Sequence, residues 1–324
     1  MRGPVTRFAL VAALWMCAAA ACAQGKLVTV GVLTAVSSGA YAARLEQLRK
    51  GLRDLGYVEG RNLRLEMRYA DAKLERLPQL AAELAAIPVD VLVTGGSHVT
   101  RVARKATRNV PIVMAWAGDP VGGGLADSLA RPGGRITGLT TLSPQLGGKR
   151  LEILKEILPN ISDVAVLWNP DVPERVIQFK ETQAAAKRLR ITVHSFEARR
   201  AEEIEPALKA LAQKRPDAMI VLSDALLEAH VRAIAEFSVT HKLVAAHQTR
   251  NAAYGMLLTY GPNHVAMHYR AAAYVDKILK GAKPAELPIE QPTQFELVIN
   301  LKVAKALGIP IPQSVLARAD EVIQ

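Results

Sequence analysis

Short apolar segments alternate with amphipathic helical stretches along almost the whole chain, and few folds accept that pattern. From Leu27 to Thr34 nearly every residue is apolar, as in a strand buried on both faces of a sheet. The helix predicted over Tyr41–Leu55 sets Leu45, Leu48, Leu52 and Leu55 on one stripe and stops at Gly56. Between Leu63 and Tyr69 apolar and charged residues alternate strictly, so one face of that strand meets solvent or a thin cover, as at the edge of a sheet. Further strands at Asp90–Thr94, Pro111–Trp116 and Ile136–Thr140 complete one α/β unit.

A second series follows the break at Ser143-Pro144, where Ser can cap a helix and Pro can occupy its first turn. That helix runs to Leu158, and strands follow at Val164–Trp168, Ile191–Phe196, Ala218–Leu222, Leu243–Ala246 and Gly255–Tyr260, with helices such as Pro173–Leu189 and Leu226–His241 between them. The fold class is therefore α/β, with two doubly wound lobes built on parallel sheets and joined by a hinge. A length of 324 residues agrees, because one core seldom organises so many. The tail holds one strand, Phe295–Asn300, and one helix, Lys302–Leu307, among five prolines. It is too small for a domain and is expected to return to the first lobe. The expected division is a leader over 1–23, a first lobe over 24–142 with a return segment near 290–312, and a second lobe over 143–289 with 313–324.

Arg2 and Arg7, the apolar run Phe8–Ala21 and the small-x-small site Ala21-Cys22-Ala23 make a secretory leader. Cleavage after Ala23 leaves Gln24 first and places the protein in the periplasm; lipid attachment at Cys22 is the alternative. Both cysteines, Cys17 and Cys22, lie in this leader. The mature chain has no thiol for a disulfide, for catalysis or for a metal. The formal charge is +11, or +9 once Arg2 and Arg7 leave. These cations are scattered and not interleaved with aromatic residues, which argues against a nucleic-acid partner.

In open α/β sheets ligands bind beyond the carboxyl ends of strands, where helix N-termini and loop amides converge. That rule selects Ser37, Ser38, Gly95, Gly96, Ser97 and Asp119 in the first lobe. In the second it selects Asn169, Ser223 with Asp224, Gln248 with Thr249, and Asn263. Helix capping explains Ser38, Ser97, Asp119, Asp224 and Asn263 equally well, and a tight turn explains Gly95-Gly96. The glycines at 122–124 and 133–134 lack the Lys and Ser or Thr of a phosphate loop. No Gly-x-Ser-x-Gly elbow and no His-Glu-x-x-His pair is present, and the seven His show no metal-ligand spacing. No metal and no cofactor is expected. Asp119 and Asp224 as an acid and base pair across a cleft is the enzymatic alternative.

The run from Val110 to Leu125, centred on Gly118-Asp119-Pro120, and the segment Arg131–Gly138 resemble the ABC transporter substrate-binding family that includes proteins binding tryptophan and other aromatic amino acids. Leu55-Gly56-Tyr57, Trp168-Asn169-Pro170, Gly261-Pro262-Asn263, Ile278–Gly281 and Leu297–Lys302 extend the likeness over the mature chain. The resemblance implies a type I periplasmic-binding fold with Rossmann-like lobes and three crossovers. It also implies a monomer that closes over a small-molecule solute and docks on a membrane permease with a separate ATPase, and no enzyme. It places Asp119, Asn169, Asp224 and Asn263 on the cleft. The sequence departs from the amino-acid-binding members at Gly95-Gly96, where they have Thr-Pro, at Ala225, where they have Asn, and at Asn263-His264. A ligand sensor for a membrane receptor, or a periplasmic α/β hydrolase or transferase, are the rival readings.

Overall fold

The computed structural model describes residues 27–141, 143–248, 255–292 and 295–324. The leader with its two cysteines, and Thr249, lie outside the described residues.

A five-stranded parallel sheet forms first, in the order β2-β1-β3-β4-β5. Its strands are β1 (Val28–Thr34), β2 (Leu63–Tyr69), β3 (Val91–Gly95), β4 (Ile112–Trp116) and β5 (Ile136–Gly138). The charge-alternating strand β2 takes the edge, and the apolar β1 lies inside. Helices α1 (Ser38–Asp54), α2 (Leu77–Ala85) and α3 (Ser97–Ala106) cover the faces.

The chain then enters a seven-stranded sheet in the order β12-β11-β10-β9-β8-β6-β7. Its elements are α4 (Ser143–Ile157), β6 (Asp163–Trp168), α5 (Pro173–Leu189), β7 (Thr192–Glu197), α6 (Ala201–Lys214), β8 (Ala218–Val221), α7 (Ala225–Ala229), α8 (Val231–Thr240), β9 (Val244–His247) and β10 (Leu258–Gly261). The single helix predicted over Leu226–His241 is broken at His230 into α7 and α8.

Beyond β10 the connection differs from expectation. Helix α9 (His264–Leu279) leaves the second sheet and packs on the first. Its Met267, Ala271, Tyr274, Val275 and Ile278 share a core with Val30, Leu48 and Leu52. Gly51 permits the contact, since a Cβ there would lie 2.6 Å from the Tyr269 carbonyl oxygen. The segment that follows stays with the first lobe, where Ile289 is buried and Glu290 bridges Leu139. The tail does not. Strand β11 (Glu296–Asn300) pairs antiparallel with β10, β12 (Glu321–Ile323) pairs with β11, and α10 (Leu301–Leu307) and α11 (Gln313–Leu316) pack beside them. The return segment is thus 264–290 rather than 290–312. The reason is physical: Leu297, Val298 and Ile299 are all buried, and the open edge of β10 supplies both hydrogen bonds and apolar cover.

Each sheet carries a core on both faces. The chain passes between them from β5 to α4, from β10 to α9, and from Glu290 to β11. Among the described residues no helix is long and apolar enough to cross a membrane.

Candidate functional site

Strand order reverses between β1 and β3 in the first sheet and between β6 and β8 in the second. At such a reversal the two outgoing loops diverge and leave a crevice. Val36, Ser37, Gly95, Gly96 and Ser97 end the strands at the first reversal, and Asn169, Ser223 and Asp224 end those at the second. The two crevices face each other. A cleft of about 460 Å³ between Ser37, Gly39 and Asp71 on one side and Glu228, Val231 and Arg232 on the other leads to them. Deeper in, Tyr41, Arg44, Gly95 and Trp116 of the first lobe meet Ala225 and Glu228 of the second around a recess of about 10 Å³.

Several expected site residues also serve as caps. Ser37, not Ser38, caps α1 by accepting from Ala40 N, 3.4 Å. Asp119 accepts from Val121 N and Gly122 N at 3.1 and 2.9 Å in an Asx turn. Asp224 caps α7 through Leu227 N, 2.8 Å, and its other oxygen accepts from Asn169 Nδ2, 2.9 Å. Ser97 follows the cap position of α3 and its hydroxyl accepts from Gly118 N, 3.1 Å, tying the β3 loop to the β4 loop. Asn263 caps α9, and its Nδ2 donates to Glu296 Oε1, 2.7 Å. It therefore joins two of the crossovers, away from the recess.

Gly95 and Gly96 make room for an indole. A Cβ on either would stand 3.1 Å from the Trp116 ring, and Gly96 has φ +96°, a conformation closed to proline and strained for any other side chain. The other face of Trp116 stacks on His264, with centroids 4.4 Å apart.

Charged groups cross from lobe to lobe at two places that strand-end reasoning missed. Arg44 of α1 donates to Glu228 of α7, Nη2 to Oε1, 2.8 Å. Burial alone would raise the Glu228 carboxyl, but the charge of Arg44, helped by His247, holds it down at about 2. Arg101 of α3 grips Glu174 of α5, Nη1 to Oε1 at 2.8 Å. Glu174 is completely buried, yet the hydrogen bond and charge of Arg101 overcome its desolvation and keep its carboxyl below the ordinary range. The glycine loop after Asp119 is shaped to this contact. A Cβ on Gly118 would lie 2.6 Å from Arg175 Nη2, and one on Gly123 would lie 2.2 Å from Glu174 Oε1 and 2.8 Å from the Asp119 carbonyl.

Buried polar atoms without a hydrogen-bond partner gather at this interface. They include Tyr41 Oη, both ring nitrogens of His264 and Nε2 of His268 from the first lobe, and Arg150 Nη1 and Nη2, Arg175 Nε and Gln178 Nε2 from the second. More than nine in ten buried polar groups in folded proteins are bonded, so these atoms stand out. Burial drives the Asp224 carboxyl up and the His264 and His268 imidazoles down. Gln248 sits within the second-lobe cluster, accepting from Arg175 Nη1 and donating to the Ser223 carbonyl, both at 3.4 Å. Tyr41, Arg44, Arg150, Arg175 and Glu228 had no strand-end signal, and Trp116, which ends β4, was passed over as an apolar strand residue. Most lie on helices, where a cation spaced among apolar residues reads as solvated surface. Among the described residues no group of three or more His, Cys, Asp or Glu side chains is placed to hold a metal ion.

Comparison with known proteins agrees with this architecture. A conserved domain protein from Vibrio cholerae O1 biovar El Tor superposes with a TM-score of 0.85 at 30% identity, over 92% of this chain and 100% of that one. An ABC domain from Streptococcus pneumoniae, solved in complex with L-Trp, gives a TM-score of 0.85 at 25% identity, over 91% and 99% of the two chains. The tyrosine-binding protein of Clostridioides difficile (strain R20291) is 25% identical over 262 residues, 80% of this chain and 75% of that protein. Residues 29–323 match the family model described as ABC transporter substrate binding protein. Together with the paired sheets and facing crevices, that match over nearly all the described chain shows that the protein belongs to the ABC transporter substrate-binding family.

Proposed function

We propose that this chain is exported through its leader, captures a small polar solute, an amino acid or a related carboxylate or amide, by closing its lobes, and hands it to a membrane permease served by a separate ATPase. It works as a monomer and catalyses nothing. The observation that carries this reading is the ring of buried, unpartnered polar atoms contributed by both lobes to one interface. The recess between the lobes at Tyr41, Trp116 and Glu228, about 10 Å³, holds no more than a water molecule. A solute enters only if the lobes part, and the connections from β5 to α4, from β10 to α9 and from Glu290 to β11 are where such a hinge bends. The relatives named for tyrosine and solved with L-Trp support an aromatic amino acid first.

Ser37, Gly95, Gly96, Ser97 and Asp119 from the first lobe and Asn169, Asp224 and Gln248 from the second line or brace the solute, and Asn263 acts at the hinge. The test is to purify the chain from Gln24, unfold it and identify any released small molecule by mass spectrometry, then to screen melting temperature. A solute at about 100 times its Kd adds roughly 2.7 kcal/mol, several degrees for lobes of this size. No released solute, with no shift across amino acids, sugars and carboxylates, refutes capture. Asp119→Ala is expected to weaken binding far more than it lowers unliganded stability; equal losses reduce Asp119 to a turn residue.

A further inference from the structure

The second lobe buries two guanidinium groups at the closing surface. Arg150 projects from α4 and is completely buried. Its Nε donates to the Tyr260 carbonyl oxygen at the end of β10, 2.9 Å, while Nη1 and Nη2 have no acceptor. Arg175 stands in the first turn of α5, buried against Gly118 of the opposite lobe. Its Nη1 donates to Gln178 and, at 3.4 Å, to Gln248, and its Nε has no acceptor. Gln178 Nε2, next to it, is also unpartnered.

Every orphaned atom in this group is a donor. A guest that satisfies them must be rich in acceptors, and the charges narrow the choice further. Glu174, held by Arg101, and Asp224, held by Leu227 N and Asn169, also act on Arg175 as opposite charges. Arg150 makes no ion pair. After desolvation, the charged neighbour acting on it is Arg175, which opposes its charge; together they push it down to about 9. A buried guanidinium such as Arg150, with two free donors and no carboxylate acting on it, is costly unless an anion joins it. A carboxylate matches the planar fork of a guanidinium with two parallel hydrogen bonds. A carboxamide has the same shape but turns an NH2 toward donors.

We propose that Arg150 and Arg175 form a carboxylate-anchoring subsite on the second lobe, so that the captured solute is an organic acid or amino acid bound through its anionic end. This rests on the solute-capture reading above and names the chemical class at that same cleft.

The experiment uses the mature chain and a panel of amino acids, hydroxy acids and aromatic acids, each paired with its carboxamide, with neutral sugars added, read by thermal shift and then calorimetry. Acids are expected to bind, and their amides roughly 100-fold more weakly. In Arg150→Met the acid loses this advantage, while the unliganded melting temperature stays at or above wild type because an uncompensated buried charge is gone. If neutral solutes bind wild type as tightly as acids, or Arg150→Met keeps the wild-type acid-to-amide ratio, the anionic anchor is wrong and solute capture stands. If nothing in the panel binds and nothing is released on unfolding, solute capture falls and the anchor falls with it. Should Arg150→Met not fold, the wild-type acid-to-amide ratio decides alone.

Discussion

Replacing Glu228 by Gln weakens the closed form more than it weakens the fold. Arg44 belongs to the first lobe and Glu228 to the second, so their 2.8 Å ion pair exists only while the lobes are together. The Glu228 carboxyl is held down from 4.5 to about 2, a shift that corresponds to about 3 kcal/mol of preference for the charged form. The sign follows from linkage. A depressed folded value contributes stability above the unfolded value of 4.5 and loses it as pH falls toward 2, so at pH 7 the contribution is present in full. Arg44 is the first opposite charge acting against the burial of Glu228, and close buried pairs elsewhere couple by about 2 kcal/mol or more. When the open form dominates without ligand, that loss falls on closure and raises the apparent Kd roughly 30-fold. Unliganded melting changes little, because the open form lacks the pair. The assay is calorimetric titration of wild type, Glu228→Gln, Arg44→Met and the double variant. The reasoning is refuted if the two single effects simply add, with a coupling below about 0.5 kcal/mol, or if the unliganded melting temperature falls as much as binding does.

Three further outcomes follow from the same geometry. Gly118→Ala sets a methyl 2.6 Å from Arg175 Nη2, so titration should show ligand affinity reduced by about tenfold or more with unliganded urea unfolding unaltered. Gly51→Ala does the reverse: its methyl meets the Tyr269 carbonyl at 2.6 Å inside the first lobe, and urea unfolding should lose about 1–3 kcal/mol. Buried His264 and His268 are kept neutral, first by desolvation and then by Arg44, His264 well below 6.5 and His268 down to about 3. The unfolded chain takes up those protons from about pH 6.5 downward, so urea midpoints measured at pH 7, 6 and 5 should fall by up to about 1.4 kcal/mol per pH unit for each ring. A flat profile, or one unchanged in His268→Gln, removes that explanation.

The order of the elements was legible because its signals are local. Leu27–Thr34 reads as a buried strand and Leu63–Tyr69 as an edge strand from their own patterns, and both take those places. Pro173–Leu189 forms one helix with those bounds. What escaped was the partner of each apolar face. The stripe of α9 and the apolar run of β11 are equally plain in sequence, yet which sheet each one covers depends on shape complementarity and free edges. The sequence reading sent the wrong one of the two back to the first lobe. Prolines mark where a chain turns without saying toward which core.

The site divides along the same line. Strand-end reasoning finds the loops at both reversals, because topology alone makes a crevice there. It is blind to Arg150, whose side chain reaches Tyr260 from a helix outside the reversal, and it passes over Trp116, the last residue of β4, whose indole packs close against Gly95 and Gly96. It reads Asp119 as a helix cap, but no helix follows it; Asp119 closes an Asx turn instead. Its neighbour Gly118 answers to Arg175, 57 positions later in the sequence. Caps hold each lobe's loops in shape whether the lobes are open or closed. The contacts between the lobes, Arg44 with Glu228, Arg101 with Glu174, and Gly118 with Arg175, are the ones that the proposed closure would make and break, and so the ones able to couple solute binding to it. An interaction present in both states cannot shift the balance between them. Variants at those three contacts should therefore move affinity with little change in unliganded stability, whereas loss of Ser37, which both caps α1 and lines the cleft, should lower stability and affinity together.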